Sequence, residues 1–165
     1  MMEALSLITK HRRTGALIDA NVLLVYVVGS HDINCLAYFQ HTKQYAYSFQ
    51  LVKRLVEFFP VIYTTPHILT EVSNLGGKLG PAFFTSLLPV VQFCEETHCP
   101  SKDAVRNIGF QKLGLTDAAI LSLASNQYLV VTADWPLYQV LCSQGIDAVN
   151  IYHLIHLDWL GALSS

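Results

Sequence analysis

Apolar positions along this chain fall into short blocks that alternate between two periods. Five blocks are compact runs bounded by turn residues or polar positions. They are Ala16 to Asp19, Val61-Ile62-Tyr63-Thr64-Thr65, Val90-Val91-Gln92-Phe93-Cys94, Tyr128-Leu129-Val130-Val131-Thr132 and Ala148-Val149-Asn150-Ile151. Their length and β-branched content predict strands. Between them the period is helical. Asn21 to Val28 reads as an apolar helix closed by Gly29, and Leu51, Val52, Leu55, Val56 and Phe59 keep a helical spacing within a helix or helical pair from Cys35 to Phe59. Pro66 opens a helix through about Leu75, since proline suits a first turn. Ala82 to Leu88, Ser101 to Leu113, Asp117 to Ser125 (capped by Thr116) and Asp134 to Ser143 follow as helices, with Gly114 and Gly145 as stops. An amphipathic segment from His153 to Leu163 closes the chain.

Strands alternating with helices at this spacing predict a mostly parallel five-stranded sheet covered on both faces, that is, a three-layer α/β/α sandwich. The fourth strand is apolar almost throughout and is expected near the centre. No repeat, linker or low-complexity tract interrupts the 165 residues, which fit a single domain over 1–165.

Composition adds two constraints. Apolar residues make up 52% of the chain and charged residues only 13%, against about 25% charged in an ordinary soluble domain. Part of the surface is therefore expected to be covered, by a second copy in a homodimer or by a small protein partner, with Leu36 to Phe59 and Leu154 to Leu163 as candidate surfaces. A formal charge of −2 leaves room for local basic patches but not for a generally basic coat. The longest unbroken apolar run, Val22 to Val28, is far short of the roughly 18 residues of a membrane span. The N-terminal stretch ends in Lys10-His11-Arg12-Arg13 and lacks a signal-peptide core. A cytoplasmic protein with no membrane association is expected, with Cys35, Cys94, Cys99 and Cys142 reduced and buried as small apolar residues. Cys94-x4-Cys99 with His98 lacks the second ligand pair of a zinc site.

Four of the twelve acids have related placements. Asp19 and Asp134 lie just beyond the first and fourth strands, Glu71 lies early in the helix after the second, and Asp117 begins the helix before the fourth. Singly, each has a plain explanation: Asp19 and Asp134 as helix N-caps, Glu71 and Asp117 as complements of helix dipoles. Jointly, they place four carboxylates where one end of the sheet can gather them. Close carboxylates raise one another's pKa unless a cation lies between them. Oxygen donors suit Mg²⁺ or Mn²⁺, which can activate water against a phosphodiester.

The ordered set Leu17-Ile18-Asp19-Ala20-Asn21-Val22-Leu23, Thr65-Pro66-His67-Ile68-Leu69-Thr70-Glu71-Val72, Leu113-Gly114-Leu115-Thr116-Asp117-Ala118-Ala119-Ile120 and Val131-Thr132-Ala133-Asp134 resembles the PIN domain family over about residues 15 to 150. The resemblance implies an α/β/α sandwich and a Mg²⁺- or Mn²⁺-dependent endoribonuclease, many bacterial members being toxins paired with a small antitoxin protein. Asp19, Glu71, Asp117 and Asp134 match the family's acidic quartet, and Asn21 and Thr132 match polar positions beside it. Ala20 departs from the usual hydroxyl residue, and Ala133 and Trp135 replace more polar neighbours. RNA would need cations near the acids, and Lys102 and Arg106, with Lys112, recur at helical spacing before Asp117; Lys53-Arg54 and the basic run at Lys10 are other candidates. Tyr38, Tyr45 and Tyr47 can stack bases, though their spacing also suits helix packing.

Other chemistries fit less well. Asp19-x-Asn21 lacks the second acid and the later lysine of a haloacid-dehalogenase-like phosphatase, and a receiver domain would need paired acids on the first strand. There is no Gly-rich phosphate loop and no Gly-x-Ser-x-Gly elbow. The rival from another class is a non-catalytic PIN-like interaction module.

Overall fold

The computed structural model describes residues 2–155, so the expected closing segment lies outside the described residues from position 156 onward. Five strands, β1 (Ala16–Ile18), β2 (Ile62–Thr64), β3 (Glu95–Glu96), β4 (Leu129–Thr132) and β5 (Ala148–Asn150), form one sheet in the order β3-β2-β1-β4-β5. Every pairing is parallel, with Leu17 opposite Tyr63 on one side and Val130 on the other. All residues of β1 and β4 are buried. Because successive side chains point to opposite faces, both faces must be covered. The fold is the three-layer α/β/α sandwich that the alternation of periods implies. The middle position belongs to β1, with β4 beside it.

The helices are α1 (Met2–Lys10), α2 (Ala20–His31), α3 (Cys35–Tyr38), α4 (Phe49–Phe58), α5 (Pro66–Gly76), α6 (Ala82–Phe93), α7 (Ser101–Ala104), α8 (Phe110–Leu113), α9 (Leu115–Leu123) and α10 (Trp135–Ser143), with a 3₁₀ segment over Lys43–Ser48. Helix α2 is apolar all round because it is enclosed by α4, α5, α6 and the sheet. Its Val22, Leu23, Leu24, Val25, Val27 and Val28 are fully buried, each contributing about 1.5–3 kcal/mol relative to exposure. The helix passes through Gly29, which is not its stop: a Cβ there would lie 2.3 Å from the Phe49 ring. Gly29 is required by close packing.

Further sequence expectations are corrected. Val90 to Cys94 is not a strand. Helix α6 runs through Pro89 to Phe93, with Phe83, Leu87 and Val90 buried at helical spacing and Phe93 edge-on to Tyr26 of α2 at 6.2 Å. The strand that follows is only the exposed pair Glu95–Glu96. Nor is Ser101 to Leu113 one helix. Asn107 turns its Oδ1 onto the Gly109 amide at 2.9 Å, splitting the segment into α7 and α8, so Lys102, Arg106 and Lys112 do not share a helical face. The cysteines also differ from expectation: only Cys99 is buried, Cys142 is exposed, and all four are free. Among the described residues no helix is long and apolar enough to cross a membrane.

At the end of the sheet remote from β-strand C-termini, α1 is fastened to the β4–β5 connection. His11 is buried, with Nε2 2.7 Å from Asp147 Oδ2 and Nδ1 3.0 Å from Thr14 Oγ1, while Lys10 Nζ reaches the same carboxylate oxygen. Burial disfavours the Asp147 carboxylate, but hydrogen bonds and attraction from Lys10 and His11 outweigh it and hold the group below its ordinary value. A folded-state pKa below the unfolded one adds stability above the ordinary carboxylate pKa, and that stability is lost as pH falls through the depressed value. Asp147→Asn is therefore expected to lower stability by about 1–3 kcal/mol at neutral pH, with the deficit shrinking in acid. Thermal melts of both proteins from pH 3 to 7 check this, and equal melting temperatures at pH 7 would reject it.

Candidate functional site

From β1 the chain builds outward in two directions, to β2 and β3 on one side and to β4 and β5 on the other. In open α/β sheets ligands bind beyond the carboxyl ends of the strands at such a reversal, which here falls between β1 and β4. Asp19 follows β1, and Thr132, Ala133 and Asp134 come off the end of β4.

Asp19 is tied in by its backbone, its N–H donating to Val131 O and its carbonyl accepting from Leu23 N, both at 2.9 Å. It stands at the N-cap of α2, yet its side chain does not cap that helix. The carboxylate instead accepts a 2.7 Å hydrogen bond from the Thr132 hydroxyl, and Thr132 Oγ1 accepts from Asp134 N at 2.9 Å. One buried hydroxyl thus links the two acids. Asp134 does cap its helix, Oδ1 accepting from Leu137 N at 2.7 Å. The plain capping role holds for Asp134 and fails for Asp19.

The other two acids arrive on helices. Thr65 caps α5, accepting from Ile68 N at 3.1 Å with Pro66 in the first turn, and Glu71 follows one turn further on. Helix α9 starts two residues earlier than expected, its N-cap being Gly114 at φ +90° and not Thr116. Asp117 lies in its first turn.

The four carboxylates share one electrostatic field. Burial pushes Asp19 up to about 6, opposed by the Thr132 hydroxyl and the Ala20 amide and reinforced by Glu71 and Asp134. Burial, then Asp19, Asp134 and Glu71, push Asp117 up to about 8. None of the four takes part in any ion pair among the described residues. At the same time, among the described residues no three His, Cys, Asp or Glu side chains stand close enough to grip a single ion. The two observations describe different ranges: the acids are near enough to perturb one another and too far apart to form a closed cage.

The remaining expected site residues are not drawn in equally. Thr132 is part of the cluster. Asn21 lies half-buried in the first turn of α2, with no hydrogen bond to the acids among the described residues. Lys102 is exposed on α7, next to Ser101, and Arg106 is engaged with Asp103 at 3.3 Å. Neither pairs with the acids.

The structure adds Asn150 and His67, and bears on Tyr45, which the sequence offered as a base-stacking or helix-packing ring. Asn150 is buried at the end of β5, accepting from Tyr152 N at 3.0 Å and donating to the Asp134 carbonyl at 3.5 Å. Its position at a strand's carboxyl end was the available signal, as for Asp19 and Thr132. Tyr45, from the 3₁₀ segment, has its hydroxyl raised by burial and by the charges of Asp19 and Asp134. On the opposite side, a groove of about 500 Å³ is lined by His67, Thr70, Glu71, Asn74, Ser101 and Thr116. His67 Nε2 lies 3.0 Å from Ser101 Oγ, and its Nδ1 is buried without a partner among the described residues.

Folded-state carboxyl values above the ordinary one add stability that is full below the ordinary value and is lost progressively as pH rises through the raised value. In chelator, the melting temperature is therefore expected to fall between about pH 5 and pH 8, through the values for Asp19 and Asp117. A shift of roughly two units makes the Asp19 share on the order of 3 kcal/mol. Asp19→Asn should make the decline shallower, and an unchanged pH profile in that variant would reject the assignment. The chain matches no protein-family model, no curated protein and no solved structure, so a functional reading stands on this cluster and its surroundings.

Proposed function

We propose that the chain is a metal-dependent endoribonuclease that hydrolyses RNA phosphodiester bonds at the acid cluster. The observation that carries this is four carboxylates in one field at the sheet's switch point, none neutralised by a cation of the protein among the described residues. A site so charged calls for a cation from outside. The donor set is oxygen only, which fits Mg²⁺ or Mn²⁺, and such ions bind through one or two carboxylates and retain several waters. They need no three-ligand cage. Asp19, Asp117 and Asp134 would hold the ion, with Glu71 as a direct or water-mediated ligand. When bound, it would supply Lewis acidity and a water of lowered pKa.

The chain's own groups have distinct tasks in this reading. The Thr132 hydroxyl fixes which way the Asp19 carboxylate faces, and the capping bond to Leu137 fixes Asp134. Asp117, with a value near 8 before any cation arrives, holds a proton at neutral pH and releases it when positive charge enters. Glu71, rising from α5, orients the attacking water. Asn21, which makes no hydrogen bond to the acids among the described residues, is left to hydrogen-bond substrate or a carboxylate that turns toward it. Lys102, beside the Glu71 groove, contacts a phosphate; Arg106 does so only on leaving Asp103.

The choice of RNA, a small antitoxin as partner, a role as the toxin of such a pair, a homodimer and a cytoplasmic setting rest on the resemblance to PIN domains and on the scarcity of charge. A second reading, a non-catalytic module with this fold, is favoured by one observation: among the described residues no three ligands close on an ion.

Cleavage of a labelled single-stranded RNA separates the two. Wild type is expected to cut with Mn²⁺ or Mg²⁺ and to stop in EDTA. Asp19→Asn should fold and lose at least about 100-fold in rate, and adding Asp134→Asn should cost little more, because the carboxylates act as a unit. Wild-type rates in Asp19→Asn, or activity that survives EDTA, would sink the nuclease reading.

A further inference from the structure

The β5 side of the acid cluster carries aromatic rings that chemistry at the carboxylates leaves without a task. Trp135 follows Asp134 directly and is 49% exposed. Its ring stands 5.4 Å from Tyr138 and 5.6 Å from His153. Helix α10 does not need Trp135 for its packing, since Leu137 and Leu141 fill the inward face and are fully buried. Tyr152, 38% exposed, is linked to the site through Asn150, which accepts from the Tyr152 amide and reaches the Asp134 carbonyl. Tyr45 lies 6.1 Å from the Tyr152 ring. Tyr47, two residues on along the same 3₁₀ segment, is 59% exposed and its hydroxyl neighbours that of Tyr152.

Exposed rings of this size are disfavoured by their apolar area unless something covers them. The choice of occupant follows from three features of the shelf. It adjoins the acid cluster, Trp135 following Asp134 in the chain and Tyr152 being tied through Asn150 to the Asp134 carbonyl, so a strand lying on it has a phosphodiester near the carboxylates. Trp135, Tyr152 and Tyr47 carry no formal charge, so their faces suit a flat, uncharged aromatic group. Lys43, exposed at the start of the same segment, offers a cation for a backbone phosphate. Unpaired nucleobases on a phosphate backbone meet all three conditions, and stacking on protein aromatics is strong and tolerant of base identity.

We propose that Trp135, Tyr152 and Tyr47 form a stacking shelf for unpaired bases of the strand whose phosphodiester lies at the acid cluster; this rests on the nuclease reading. Bases within a duplex are already stacked and cannot lie on the shelf without being pulled out.

The test uses the full chain carrying Asp19→Asn, so that bound RNA is not cut. Binding is followed by the anisotropy of a labelled oligoribonucleotide, a strand of equal length with abasic positions, and a duplex. The parent is expected to prefer the intact single strand. Trp135→Ala or Tyr152→Ala should weaken it by about 5- to 100-fold, with little effect on the abasic strand. Trp135→Phe should restore most of the binding, which loss of fold would not allow. With Asp19 restored so that RNA is cleaved, KM for RNA should rise in the alanine variants with kcat nearly kept. Equal binding of intact and abasic strands, or alanine variants that bind like their parent, would overturn the shelf even if metal-dependent cleavage is seen. Ring-dependent binding in a wild type that never cleaves would keep the shelf and remove the nuclease. Binding to none of the three probes would overturn both, and would leave the rings to a protein partner.

Discussion

The buried hydrogen bond from Thr132 to Asp19 is what the arrangement at the carboxyl end of the sheet depends on. It joins the ends of two neighbouring strands, and both of its partners are almost wholly removed from water. In that setting an acid without a hydrogen-bond donor would be costly. The same hydroxyl receives the Asp134 amide, so the direction of α10, the orientation of its capping carboxylate and the orientation of Asp19 are settled together. A hydroxyl both donates and accepts, which is what this position uses; valine, of similar shape, would leave the carboxylate and the amide unanswered.

Around that bond the protein holds charge at high electrostatic potential. Asp19 and Asp117 are raised chiefly by burial, and the repulsion among the four acids adds to it. Enclosure of α2 explains how the fold sustains this. A helix apolar all round can be walled in by α4, α5 and α6, and the strand before it then ends inside the protein and not at its surface. Stability from the apolar interior allows an acid at the strand end to remain in an environment that disfavours its charged form.

Much of this was legible in the residues because the strongest signals were one-dimensional. The strands β1, β2, β4 and β5 came from compact apolar runs, and the acids at their ends followed from position. What was not legible depended on contacts between distant segments. Val90-Val91 has β-branched residues but belongs to α6, because Phe83, Leu87 and Val90 find a common buried face. Gly29 has the look of a helix stop, and only the nearness of Phe49 shows why it is glycine. The break between α7 and α8 is a local turn by Asn107, and it scattered three cations that helical spacing had lined up. Tyr45, on a 3₁₀ segment with no period to announce it, feels the charges of Asp19 and Asp134, and Asn150 became meaningful only once β5 was seen beside β4.

The edge strand β3 has a consequence for how copies of this chain can meet. It is two residues long, and both are exposed glutamates. An open parallel edge ordinarily invites another strand, since its amides and carbonyls point outward. Here an incoming copy of the same edge would bring four carboxylates together along a ladder too short to compensate them. Growth of the sheet from one molecule into the next is opposed at β3, where a chain poor in surface charge carries two carboxylates on a strand edge.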